Sequence, residues 1–259
     1  MMGIHRKSSI LPLMKVSFVI PAYNEEHHIA ACVASIRAEM ARTSQDAEIV
    51  VVNNASTDGT RAAAEAAGAR VVDEPRKGLT RARQTGFEHS SGELIANIDA
   101  DVRIPAGWLD TVIARFVRDP QLVALSGPFI YQDLSILTRL LAQAFYAAGL
   151  AAAQMVQLAT GSGAMLQGGN FVLQRDALER IGGFDTTIEF YGEDTDIARR
   201  METQGRVVWT FALPVFASGR RLAHEGVLRT ALRYALNFFS VSLRGRPLHE
   251  THEDIRPRA

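Results

Sequence analysis

Asp99-Ala100-Asp101 sets two carboxylates one residue apart at the end of Leu94-Ile95-Ala96-Asn97-Ile98, an apolar run that reads as a buried strand. Open α/β sheets bind ligands at the carboxyl ends of their strands. Carboxylates there suit a hard divalent cation that in turn holds phosphate oxygens. The chemistry suggested is a metal-bound diphosphate; the competing reading is an Asp that only caps a turn or the next helix. A second acidic pair, Glu193-Asp194, follows Gly192 and opens a helical stretch over 194–204. A carboxylate placed there can take a proton from a hydroxyl, or can merely stabilise the first helical turn.

The elements that must position these groups follow from periodicity. The run 16–20 is a strand stopped by Pro21, and 25–40 carries helical spacing through Ile29, Cys32, Val33 and Ile36. A strand at 49–52, a helix at 60–67, a strand at 70–72, a helix at 79–89 and the strand at 94–98 continue the alternation, which predicts a parallel sheet covered by helices. Three strands thus end in polar segments on one rim. These are Pro21-Ala22-Tyr23-Asn24-Glu25-Glu26, then Asn53-Asn54-Ala55-Ser56-Thr57-Asp58-Gly59-Thr60, and Asp99-Ala100-Asp101. An aromatic ring, carboxylates beside a helix start, and an Asp able to accept hydrogen bonds from a base or ribose outline a nucleotide pocket. The same residue types also build ordinary loops. Lys77 and Arg81 begin the helix after the third strand, where basic side chains and free backbone N–H groups can meet phosphate.

Composition narrows the classes. The chain has 259 residues, 47% hydrophobic, with 28 basic and 28 acidic side chains. This describes a globular protein with a sizeable core and argues against a general nucleic-acid binder. Its one cysteine, Cys32, rules out an internal disulfide framework and a multi-cysteine zinc site, and fits a reducing, cytoplasmic setting. Residues 1–14 make a poor signal peptide and read as a flexible tail or an early start, with Met14 as the alternative beginning. Residues 247–259 read as a second flexible tail.

Taken in order, the motifs resemble those of a family 2 glycosyltransferase of the GT-A fold. Val-Ile-Pro-Ala-Tyr-Asn-Glu-Glu at 19–26 resembles the family's opening nucleotide-binding motif, and Asn54 through Thr60 its second. Lys77-Gly78 with Ala82-Arg83 and Gly86 resembles the segment after the third strand, and Asp99-Ala100-Asp101 the metal motif. Gly168-Gly169-Asn170-Phe171, Gly182-Gly183-Phe184-Asp185 and Gly192-Glu193-Asp194 resemble the acceptor-side strand, its turn and the motif carrying the catalytic base.

The resemblance implies a Rossmann-like, mostly parallel central sheet with helices on both faces and a smaller mixed acceptor-side half. It implies one domain over 15–246, nucleotide-binding over 15–103 and acceptor-binding over 104–246. Donor contacts fall to Pro21, Ala22, Tyr23, Glu25, Asn54, Asp58, Lys77, Arg81, Asp99, Ala100 and Asp101, with Asp58 on the base. Acceptor contacts fall to Gly168, Gly169 and Asn170, and catalysis to Asp194 with Glu193. Mn²⁺ or Mg²⁺ is implied on Asp99 and Asp101. The expected reaction is inverting transfer from a UDP or GDP sugar to a hydroxyl of a saccharide, lipid-linked or small-molecule acceptor, in cell-envelope or glycan biosynthesis.

Two departures stand out. Arg103 occupies the place two positions beyond the Asp pair where many metal-dependent members of the family carry a polar residue that can help coordinate, and Arg cannot ligate a cation. That leaves the third ligand open, with His224, beyond the last strand, as candidate. No Gln-x-x-Arg-Trp follows Glu193-Asp194, which favours single addition over polymerisation. A sugar nucleotidyltransferase would want a glycine-rich basic loop where 21–26 stands. A nucleotide-sugar-binding protein without turnover would tolerate the loss of Asp194.

The second half carries its own signal: 140–174 holds no Asp, Glu, Lys, Arg or His. Gln143, Gln154, Gln157, Gly149 and many alanines dilute it, so the expectation is a buried or membrane-grazing helix rather than a span. The pattern at 227–243 is an amphipathic helix with Arg229 and Arg233 four apart. It can lie on an anionic membrane at the inner face, cover the sheet, or pack on another subunit in a homo-oligomer.

Overall fold

The computed structural model describes residues 13–161, 163–188 and 191–244. Residues 1–12 of the tail expected at 1–14, and the whole of the tail expected at 247–259, lie outside the described residues, while Met14 N–H donates to Gln45 Oε1 at 3.0 Å. Four strands and three helices alternate first: β1 (Val16–Ala22), α1 (Ile29–Arg42), β2 (Ala47–Asn54), α2 (Thr60–Ala66), β3 (Arg70–Glu74), α3 (Leu79–Glu88) and β4 (Leu94–Ile98). Then follow β5 (Val102–Arg103), α4 (Trp108–Arg118), β6 (Leu122–Ser126), β7 (Phe129–Tyr131), α5 (Ile136–Thr160), β8 (Asn170–Gln174) and α6 (Arg175–Arg180). The chain closes with α7 (Glu193–Glu202), β9 (Arg206–Trp209), β10 (Val215–Ala217), α8 (Arg220–Glu225) and α9 (Val227–Arg244).

The α/β architecture is the expected one. A seven-stranded sheet runs β3-β2-β1-β4-β8-β6-β9, and a small mixed sheet runs β5-β10-β7. In the large sheet only β8 is reversed, pairing antiparallel with both β4 and β6. The reversal places the start of β8 at the rim where β1, β2 and β4 end, with Asn170 opposite Ile98. The residues just before β8 therefore join the residues just after β4.

Side-chain alternation along β1 feeds two cores. Phe18 and Ile20 pack with Ile29, Val33 and Ile36 of α1 and with Trp108 and Val112 of α4. Val19 packs on the opposite face with Ala82 and Phe87 of α3, Phe171 and Met201. Helix α3 lies close because Gly86 faces the sheet; a Cβ there would sit 2.2 Å from Val19 Cγ1. The first helix starts at Ile29 rather than at residue 25, since the Glu25 carbonyl accepts the N–H groups of His28 and Ile29 at 2.9 Å and ends a turn there.

Helix α5 is not a buried helix. Among its described residues only Ala142, Tyr146 and Ala153 are buried, while Leu137, Leu140, Met155 and Leu158 are exposed. A helix that covers a core and a helix that stands on a surface share one apolar periodicity, so the sequence pattern cannot separate them.

On the far edge, Glu48 accepts hydrogen bonds from the Ser17 hydroxyl (2.7 Å) and from the Ser91 N–H (2.7 Å) and hydroxyl (2.8 Å). Burial pushes its pKa up, but these bonds and Arg70 outweigh that and hold it at about 2. A carboxylate depressed in the folded state adds stability above its unfolded pKa and loses it as pH falls. Stability should therefore drop between about pH 4.5 and 2, by up to about 3 kcal/mol from this group. Acid titration of the melting temperature should show that Glu48→Gln flattens the decline.

Candidate functional site

The rim loops are built before any ligand is considered. Asn24 and Ala55 adopt left-handed backbone conformations, φ 50° and 57°. This costly geometry is held by the surrounding bonds. Thr57 N–H donates to Asn24 Oδ1 at 2.9 Å, and Asn24 N–H donates to Ser56 Oγ at 3.2 Å. Asn54 spends its side chain on the third loop, donating to the carbonyls of Glu74 (3.1 Å) and Arg76 (2.8 Å) and accepting from Gly78 N–H (2.9 Å). It shapes the path of the chain toward Lys77, whose Nζ lies 3.7 Å from the centre of the Tyr23 ring. Arg81 is half-buried in the first turn of α3.

Asp58 accepts from the N–H (3.0 Å) and hydroxyl (2.5 Å) of Thr60 through Oδ1, and from Glu26 N–H (3.3 Å) through Oδ2. Burial pushes its carboxyl up, and these bonds hold it below the usual range. Asp58 thus ties the first two loops together and keeps one Oδ2 lone pair for a donor.

Pro21 and Ala22 end β1, and Ala100 is buried between the two aspartates. Glu25 is buried, and its Oε1 meets Arg220 Nη2 at 2.5 Å. The same nitrogen lies 3.0 Å from Asp101 Oδ2. Arg220 comes from the start of α8, nearly two hundred residues away from Glu25, and draws the first and third rim segments together.

A second arginine organises the other half. Arg83 of α3 is only 1% exposed, lies over the Phe171 ring at 4.9 Å, and reaches Asp99 Oδ1 at 3.4 Å. Its Nη1 contacts Glu193 Oε2, and Asp194 also acts on it electrostatically. Burial opposes the guanidinium charge and the three carboxylates more than restore it. A buried charge persists only when paired in this way.

Glu193 and Asp194 form the first turn of α7. Asp194 Oδ1 accepts from Thr195 N–H at 2.8 Å, and Oδ2 accepts from Gly168 N–H at 3.3 Å. Burial raises both carboxyls against the pull of Arg83, Glu193 to about 7 and Asp194 above the ordinary range. A carboxylate with a raised pKa at a helix N-terminus is suited to accept a proton near neutrality.

Gly168-Gly169 connects the two halves. Asp99 N–H donates to the Gly169 carbonyl at 3.3 Å, and Asp99 Oδ2 packs where a Cβ on Gly169 would stand only 2.1 Å away. Gly169 also holds φ +81°, which L side chains rarely adopt. Gly169→Ala should displace the Asp99 carboxylate and abolish donor binding, at a stability cost of about 1–2 kcal/mol. Calorimetric titration with a nucleoside diphosphate and Mn²⁺ would check this; unchanged affinity would show that Asp99 lies outside the donor site.

Several expected site residues sit elsewhere in role. Asn170 is fully buried, accepting from Trp108 Nε1 (3.3 Å) and donating to the carbonyls of Gly127 (2.9 Å) and Leu213 (2.8 Å). It cannot also meet an acceptor, because its amide is spent within the core. His224 is exposed on α8, and no set of three His, Cys, Asp or Glu side chains gathers around a common point among the described residues. The expected third ligand is therefore not assembled; Arg220, one turn earlier, is the residue of α8 that reaches the rim. Arg103 is exposed and bonds Gln132 at 3.2 Å. As a donor set, Asp99 and Asp101 are 35% and 20% exposed and offer hard oxygens on either side of Ala100. That set fits a Mg²⁺ or Mn²⁺ ion whose remaining ligands are phosphate and water.

Arg83 and Arg220 were not among the candidate residues. The signals for Arg83 were its place in the segment after the third strand that resembles the family's, and a charged residue on the apolar face of α3 among Ala82, Gly86 and Phe87. Arg220 had none beyond following an apolar strand.

Known proteins resemble this chain in fold and in sequence. The solved mannosyltransferase of Pyrobaculum calidifontis in complex with GDP-Man and Mn²⁺ superposes with a TM-score of 0.68 at 23% identity, covering 90% of this chain and 65% of that one. The Mycobacterium tuberculosis glucosyl-3-phosphoglycerate synthase superposes with a TM-score of 0.61 at 20% identity, over 90% and 82%. Glycosyltransferase AglE of Haloferax volcanii is 33% identical over 109 residues, 40% of this chain and 35% of its own length. An undecaprenyl-phosphate 4-deoxy-4-formamido-L-arabinose transferase of Serratia proteamaculans is 34% identical over 105 residues, 38% and 32%. The aligned part spans about a third of these two relatives. Residues 159–214 match the profile described as the N-terminal domain of galactosyltransferase. The profile of glycosyl transferase family 2 matches residues 17–182, from β1 through the rim aspartates and β8 to the turn after α6, and the chain with its GT-A fold belongs to that family.

Proposed function

We propose that the protein is an inverting glycosyltransferase that moves one sugar from a UDP or GDP sugar to an acceptor hydroxyl. The observation that carries this reading is the Arg83 cluster. It brings Asp99, at the end of a donor-side strand, to the same guanidinium as Glu193 and Asp194, at the start of an acceptor-side helix. The GDP-Man and Mn²⁺ complex of the mannosyltransferase supports the nucleotide-sugar and metal parts, as does the Mn²⁺, UDP and phosphoglyceric acid complex of the synthase, which superposes with a TM-score of 0.59.

In this reading Tyr23, Lys77 and Asp58 bind the nucleotide, with Asp58 Oδ2 accepting from the base. Arg81 and the N-terminal N–H groups of α3 face the phosphates. Asp99 and Asp101 would hold a divalent ion, which when bound neutralises charge on the leaving diphosphate. Asp194 takes the proton of the acceptor hydroxyl as its oxygen bonds the anomeric carbon. The bond from that carbon to the phosphate oxygen breaks, and the nucleoside diphosphate leaves with the electron pair. Attack from the face opposite the diphosphate inverts the centre. Gly168, whose N–H holds Asp194, and Gly169 keep that carboxylate beside Asp99 without bulk.

Proton NMR of the first-formed product tests the stereochemical part: an anomeric configuration opposite to the donor's is expected, and retention would overturn it. Mass spectrometry should find one sugar added per acceptor.

A further inference from the structure

Eleven large apolar side chains stand exposed among the described residues, and six of them lie on α5: Ile136, Leu137, Leu140, Leu141, Met155 and Leu158. Leu232 and Leu236 stand exposed on α9, which touches α5. Helix α5 is long and apolar enough to cross a membrane by length and composition. It is also docked along one side: Tyr146 packs on Trp209 with ring centres 5.7 Å apart, and Gln143 donates to the Phe129 carbonyl at 3.1 Å. A helix held to the protein on one side cannot be surrounded by lipid, so its free side can lie in an interface but not span it.

Charge indicates which interface. Beyond Arg220, which is spent on Glu25 and Asp101 at the rim, the sequence from 221 to 246 has five arginines and one glutamate, although basic and acidic residues balance over the whole sequence. A second copy would set two such basic segments against each other, whereas an anionic lipid surface complements one. We infer that the free faces of α5 and α9 dock the protein onto the surface of an anionic bilayer. Helix α9 also reaches the rim, since Arg233 donates to the Tyr191 hydroxyl at 2.7 Å, three residues before Asp194. The docked surface therefore lies beside the acceptor half, within reach of a hydroxyl carried by an amphipathic lipid. The docking does not depend on the glycosyltransferase reading.

Flotation of the full chain with phosphatidylcholine vesicles, with and without phosphatidylglycerol, tests the docking. Binding is expected to the anionic vesicles at low salt and to be released at high salt. Leu158→Glu, at a position 89% exposed, and the Leu137→Glu/Leu158→Glu pair should weaken it by about tenfold or more with unchanged melting temperatures. Because Leu158 makes little contact with the fold, the single variant keeps the test decisive if the double variant misfolds. No binding at low salt would overturn the inference. So would binding that survives alkaline carbonate, which means a span, or a dimer that Leu158→Glu splits without any lipid binding. Flotation is read without donor turnover, so its failure is distinct from failure of the transfer reaction.

Discussion

Asp194→Asn is expected to slow sugar transfer by about 10²–10⁴-fold while leaving donor affinity nearly unchanged, since a positioned general base contributes that much and binding does not use it. Asn keeps the shape and the bond from Gly168 N–H but cannot take a proton. The pH profile supplies a second readout. Burial raises the Asp194 carboxyl, so wild-type activity should fall on an acid limb above the ordinary carboxylate range near 4, and the residual activity of the variant should lack that limb. The sign for stability is opposite to that of Glu48. A carboxyl whose folded pKa is raised binds its proton more tightly when folded, so its contribution is lost as pH rises. The variant should thus be no less stable than wild type at neutral pH. A large fall in donor affinity would instead move Asp194 to the nucleotide site, and full activity would leave a binding protein without turnover.

Arg83→Met is expected to destabilise the fold by about 3–5 kcal/mol, the usual consequence of removing one partner from a buried charge cluster. Methionine fills much of the volume over Phe171, so the loss is chiefly electrostatic. Asp99, Glu193 and Asp194 would face one another with no counter-charge. Protonation of Glu193 and Asp194 would relieve the repulsion, so the deficit should be largest at high pH and shrink as pH falls toward about 7, where Glu193 gains its proton even in the wild type. Arg83→Lys keeps the charge but not the fork that serves two carboxylates, and should recover part of the stability. Denaturant titrations at several pH values would show this pattern; a small, pH-independent loss would mean that Arg83 only fills space.

Much of the site was legible because local patterns carried it. Asp99 and Asp101 follow an apolar strand, Asp194 follows a glycine at a helix start, and the regular alternation around them fixes one rim of one sheet. What could not be read is what depends on distant pairing. Arg83, though it stands in a family-like segment, and Arg220 show no role until the fold sets them against carboxylates sixteen to nearly two hundred positions away. Asn170 and Asn54 had the chemistry of ligand-binding residues and turned out to satisfy backbone groups, which any buried loop requires. The reversed direction of β8, on which the approach of Gly169 to Asp99 depends, has no signature in a five-residue apolar run. The exposure of α5 was hidden for the same reason: periodicity reports an apolar stripe and not what covers it.

The most direct test is to incubate the protein with a panel of UDP and GDP sugars, each with Mn²⁺ or Mg²⁺, and to identify the products. Release of a nucleoside diphosphate from at least one donor, dependent on the metal and on Asp99 and Asp101, is the expected result. Release of pyrophosphate from a nucleoside triphosphate and a sugar phosphate would assign a nucleotidyltransferase, and failure of every donor to bind or turn over with either metal would contradict the account.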